Sequence, residues 1–183
     1  SRVEGFNNGA TDLDVVVTYT PRVDIGGDPM TATWTLAPDQ METVQDPLNT
    51  WFGLESGVGS LSFAIPAEAD AADLMVQSVV FAQNADGTEY GQFFPAVPPT
   101  AAIVAGENAL MNTTTDPAHT RVNIGVMALE DGTAVAVNPV DPVGTPLAEA
   151  LTANLDAGVA WQINNVHSAF VLDALAADFL AQV

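Results

Sequence analysis

A chain of 183 residues, 48% apolar and 14% charged, is long enough to bury a core without disulfide or metal staples, and its composition is globular rather than disordered. Its formal net charge is −20, from 23 Asp and Glu against three Arg and no Lys. Nucleic acid and anionic membranes are therefore poor partners, since phosphate contact needs clustered Lys and Arg, and the absence of Cys excludes disulfides, thiolate metal sites and Cys nucleophiles.

With only Arg2, Arg22 and Arg121 to pair with the acids, stability has to come from burial and backbone ladders rather than ion pairs. Ser at position 1 points to a processed or trimmed N-terminus, and no signal-peptide pattern is present. No apolar run approaches the roughly 18 residues needed to cross a bilayer, so no membrane span is expected.

Taken in order, Asn7-Asn8-Gly9 is a turn signal, and Asp12 to Tyr19 is a β-branched run that predicts a strand. A loop from Pro21 to Pro29 leads to Met30–Leu36, where Met30, Ala32, Trp34 and Leu36 share one face of a second strand. After a turn at Ala37-Pro38-Asp39-Gln40, Met41–Val44 reads as a short strand. Asp46-Pro47 then places Asp at the N-cap and Pro at the first position of a short helix through Phe52. Leu61, Phe63 and Ile65 alternate with small residues, and Leu74–Phe81 is a further β run. Asn84-Ala85-Asp86-Gly87-Thr88 is a hairpin turn, since Asp-Gly tolerates positive φ. Its exit, Tyr90 to Pro99, carries Pro95, Pro98 and Pro99 and reads as an extended connector rather than a central strand.

Beyond the connector the order of elements starts over at a spacing of 117 to 119 residues. Thr120-Arg121-Val122 echoes Ser1-Arg2-Val3, Gly144-Thr145-Pro146-Leu147 echoes Gly27-Asp28-Pro29-Met30, and Leu155 to Ile163 echoes Leu36 to Val44. Asn164 to Phe170 stands where the short helix after Asp46 stood. Ala102 to Asn112 adds a leading segment to the second copy, and nothing in that copy corresponds to the strands at Leu61 and Val76. The chain ends instead on Val171 to Leu180, with Leu172, Leu175, Ala176 and Phe179 on one helical face.

Arg121 to Val126, Gly144-Thr145-Pro146, Leu36-Ala37-Pro38-Asp39 and Tyr90-Gly91-Gln92-Phe93-Phe94-Pro95-Ala96 together resemble the parts of tandem immunoglobulin-like β-sandwich modules of bacterial secreted and cell-surface proteins. The resemblance covers most of the chain and implies an all-β fold of two sandwich units, residues 1–95 and 96–183, in an extracellular, periplasmic or cell-surface setting. Such modules share no activity that carries over.

The candidate chemistry is sparse. His119 lies in a loop and His167 beside Ser168 in the short helical segment, but no Gly-x-Ser-x-Gly elbow supports a nucleophile. Asp12 with Asp14, and Asp70 with Asp73, are carboxylate pairs of the kind that 23 acids produce by chance. Calcium suits this oxygen-rich ligand set better than a transition metal does, and Asn84 to Glu89 has partial ligand spacing for it, yet the segment reads first as a plain hairpin turn, so no cofactor is expected. Asn112-Thr113-Thr114 matches a glycosylation acceptor, meaningful only in a secretory host.

The resulting expectation is a non-enzymatic structural, adhesive or accessory subunit of a larger surface assembly, with a protein partner or self-assembly. A carbohydrate-binding module is the alternative, to be separated by whether Tyr19, Trp34, Trp51, Tyr90 and Trp161 are exposed on one face or buried. Leu172, Leu175 and Phe179 are the candidate partner contacts, and Phe93 and Phe94 the candidate interdomain contacts.

Overall fold

In the computed structural model, which describes residues 1–112, 121–170 and 180–182, the alternating apolar patterns become antiparallel strands, and the chain is all-β with few helices. Two compact units divide it. One comprises Ser1–Pro21 with Gly27–Pro98, the other Arg22–Gly26 with Pro99–Val183.

The first unit contains β1 (Arg2–Asn7), β2 (Leu13–Pro21), β3 (Met30–Leu36), β4 (Met41–Gln45), helix α1 (Pro47–Phe52), β5 (Gly59–Ala64), β6 (Leu74–Gln83) and β7 (Glu89–Pro95). They form a four-stranded sheet in the order β4-β1-β6-β7 and a three-stranded sheet in the order β3-β2-β5. Period-two alternation fixes which side of each strand is buried. Leu13, Val15, Val17 and Tyr19 of β2 turn inward while Asp14 and Val16 face solvent. The core draws on both sheets: Val3 and Val44 from one, Leu13, Val15, Val17, Trp34 and Leu36 from the other, with Trp51, Phe52, Leu61 and Phe63 packed against them. Gly5 is what lets Trp34 lie there, because a Cβ at Gly5 would overlap Trp34 Cη2 and come within 2.7 Å of Cζ3.

Two expectations change in this unit. Tyr90 to Pro95 is not a connector but part of the edge strand β7, paired with β6 from Gln83↔Glu89 to Gln77↔Pro95. Proline is compatible with an edge, where its missing N–H interrupts no second ladder. Asp46 precedes α1 as expected, but its side chain caps nothing; its backbone is left-handed, φ 46°, and Pro47 follows at the first turn.

The second unit contains β8 (Leu110–Asn112), β9 (Ile124–Met127), β10 (Thr133–Val140), β11 (Leu151–Leu155), β12 (Ala160–Ile163), helix α2 (Val166–Ala169) and β13 (Leu180–Gln182). Its sheets run β11-β10-β13-β8 and β12-β9. Ile124, Val137, Ile163, Val166 and Phe170 are the buried core, with Met111, Leu151 and Trp161 against it. Here too a reading is corrected. Leu180–Gln182, whose first residue closes the segment expected to be helical, is a strand on β10 in the register Val140↔Leu180. The expected helical face of Leu172, Leu175 and Phe179 falls outside the described residues.

Candidate interaction surface

The outward face of the sheet β4-β1-β6-β7 is built by register. Arg2, Glu4 and Phe6 of β1 stand opposite Gln45, Thr43 and Met41 of β4 and opposite Val79, Gln77 and Met75 of β6. Val79 and Gln77 in turn oppose Phe93 and Pro95 of β7. Directly opposed residues of an antiparallel pair share a face, so this face carries Met41, Phe6 and Met75 at one end and Phe81 and Phe93 at the other. Met41 is 70% exposed, Met75 64% and Phe93 57%, while Phe6 and Phe81 are half-buried.

Between the two apolar ends runs a polar strip. Glu4 accepts hydrogen bonds from Arg2 Nε at 2.8 Å and from Gln77 Nε2 at 2.6 Å. The Gln77 bond first, and Arg2 second, hold the Glu4 carboxyl below its ordinary range. The Arg2 guanidinium lies 5.7 Å from the centre of the Phe81 ring, which ties the strip to the second apolar end. Phe94, adjacent to Phe93 and so on the opposite face, is 46% exposed. Phe93 and Phe94 thus project from both sides of one edge strand. This arrangement suits protein contact, since flexible Met and aromatic side chains adapt to an apolar partner surface.

The residues weighed for catalysis are dispersed or occupied in local structure. His167 is buried on α2, while its neighbour Ser168 is exposed and its Oγ accepts from Asn165 Nδ2 at 2.9 Å; His119 lies outside the described residues. Asp14 takes the Thr35 hydroxyl at 2.6 Å, and Asp70 accepts from Ala72 N–H at 2.9 Å in a turn before β6. Asp86 accepts the Thr88 N–H at 2.9 Å and closes the hairpin turn before β7; that bond, the largest influence on it, lowers its pKa. Among the described residues no three or more His, Cys, Asp or Glu are grouped to hold a metal ion, and no helix is long and apolar enough to cross a membrane.

Four of the five aromatics weighed as a sugar platform are buried or packed against a core. Trp34 and Tyr19 are buried, and Trp51 and Trp161 pack against the two cores. Trp34 Nε1 donates to Glu42 Oε2 at 2.9 Å, its ring centre is 5.3 Å from that of Trp51, and Tyr19 OH donates to the Val58 carbonyl at 3.1 Å. The Tyr90 side chain falls outside the described part of the molecule. Sequence reasoning missed Met41, Phe6 and Met75, because an apolar residue at an alternate strand position reads as core until the pairing shows which face is covered. Compared with known proteins, the chain matches no family model, no curated protein and no solved structure.

Proposed function

We propose that this chain is a non-enzymatic, extracytoplasmic protein of two tandem immunoglobulin-like β-sandwich units, acting as a structural, adhesive or accessory subunit of a larger bacterial surface assembly. The observation that carries the functional reading is the exposed apolar face of Met41, Met75 and Phe93 on a chain with net charge −20. So acidic a chain has no need of apolar side chains to keep it dispersed, and exposed apolar groups at both ends of one sheet face, with a polar strip between them, fit a docking surface with an apolar and a polar part.

Recurring local geometry supports the tandem reading. Gln40 N–H donates to the Ala37 carbonyl and Val159 N–H to that of Asp156; Asn7 N–H donates to Gln40 and Ala128 N–H to Val159. Thr50 N–H donates to Asp46, and Ala169 N–H to Asn165. Asp46 and Asn165, each just before its helix, share the left-handed conformation at φ 46° and φ 49°. The same turn, ladder closure and helix start therefore occur in the same order in both units.

The test is the native assembly state. Extracted from its source, the protein should run at a mass well above that of one chain, and Met41→Ser/Met75→Ser/Phe93→Ser should release it while its circular dichroism stays unchanged. A native protein that is monomeric, or an assembly indifferent to the triple substitution, would remove the basis for this reading.

A further inference from the structure

In the first unit, β1 is hydrogen-bonded along both edges, to β4 and to β6. Its equivalent in the second unit, β9, pairs with β12 on one edge, and among the described residues no strand lies on the other. Ala128 N–H donates to the Val159 carbonyl on the β12 side. Backbone groups of successive strand residues point to alternate edges, so Gly125 and Met127 direct their N–H and C=O away from β12. Both residues are exposed, Met127 at 39%, whereas Ile124 is buried and Val126 half-buried on the inner face.

Strand edges are ordinarily guarded by charge, proline or a bulge. β9 reads Ile-Gly-Val-Met and carries neither charge nor proline, so its shortness, four residues, is the protection its own sequence offers, in a chain with 23 acidic residues. Resting on the subunit reading above, we propose that the open edge of β9 accepts an extended strand from a partner protein. The strand runs antiparallel to β9 in the place that β6 holds on β1, the mode known as strand addition. The first unit shows the pattern required: β6 sets Leu74, Val76 and Ser78 opposite Asn7, Gly5 and Val3 on the inner face. The incoming strand therefore carries apolar or small residues at alternate positions, facing Ile124 and Val126. The net charge of −20 disfavours a second copy of this chain and favours a strand flanked by Lys or Arg.

The experiment is residue-resolved amide hydrogen exchange on the full chain, alone and with a synthetic peptide of residues 74–95 bearing a Lys-Lys tail. Alone, Gly125 and Met127 should exchange at least about tenfold faster than Val126 and Ala128, and the peptide should slow them by a similar factor. Met127→Pro deletes a donor on the open edge only, so it should cancel the peptide's effect and keep the protection of Val126; Gly125→Pro repeats the test should the first variant unfold. Equal protection of all four amides in the free chain overturns the proposal, as does a peptide without effect. Slowing that depends on protein concentration without peptide makes a second copy the occupant and also overturns it. If the peptide leaves β9 unchanged while the Met41/Met75/Phe93 variant still loses its assembly, this edge is retired and the subunit reading stands.

Discussion

Gly5 and Trp34 show how far one residue can set a core. The indole fills the space above the Gly5 backbone, Glu42 receives its N–H, and Trp51 and Phe63 lean on it with ring centres at 5.3 and 6.5 Å. Gly5→Ala would force Trp34 out of that position, and overpacking of this kind costs about 1–3 kcal/mol. Urea denaturation should show the unfolding free energy falling by that amount at an unchanged slope, while an unchanged midpoint would mean that the ring shifts freely. Asn7 is the matching polar case, fully buried, donating to the Thr11 and Leu36 carbonyls at 2.8 and 2.9 Å and accepting the Gly9 N–H at 2.8 Å. The Asn-Asn-Gly turn was legible in the sequence. That its first Asn also fastens Leu36 was not, because the partner is 29 residues away.

At the scale of elements, the starts of the two short helices are decided by backbone conformation rather than by side-chain capping. Asp46 and Asn165 adopt positive φ and make no capping bond, a role open to Asp, Asn and Gly because other side chains crowd the backbone there. Asp46 is exposed, so a substitution there tests the conformation alone. Asp46→Gly should be tolerated, whereas Asp46→Val should cost about 1–2 kcal/mol. Thermal melts of the two variants would separate these outcomes, and equal melting temperatures would show that the strain is not felt. The same scale explains why β7 read as a connector: its prolines deny it a central place but not an edge, and only pairing with β6 distinguishes the two.

Over the whole molecule, charge governs how stability responds to solvent. With 23 acids against three Arg, self-repulsion at low ionic strength opposes the compact state, and screening relieves it. The melting temperature should rise between millimolar and about 0.15 M salt; a flat response would mean that the acids are already compensated, and a gain specific to calcium would point to bound ion. Two effects oppose each other on acidification. Protonating the crowded acids eases repulsion, so stability at low salt should first increase as pH falls from 7. Among the described residues, four carboxyls are held below their ordinary range: Glu4 chiefly by Gln77, Asp24 by Arg22, Asp86 by the Thr88 N–H and Asp141 by the Thr145 N–H. A lowered folded-state pKa contributes stability above the unfolded value and loses it as pH falls through the folded value. The gain should therefore reverse below about pH 4. Melting curves across pH 3 to 7 at low salt should show a maximum, and a monotonic rise to pH 3 would show that these bonds contribute nothing.

Legible in the sequence alone were the all-β class, the turns around Asp39 and Asp86, and a short helix beginning at Pro47. These follow from local rules: a two-residue period, the φ preferences of Gly, Asp and Asn, and proline's missing donor. It could not decide which side of the sheet β4-β1-β6-β7 is covered, that Leu180–Gln182 joins β10 as a strand, or that β9 keeps an edge without a described neighbour. Those depend on which strands pair, a choice made by contacts between residues tens of positions apart. The same alternating run is a core strand or a docking face according to what the fold lays against it.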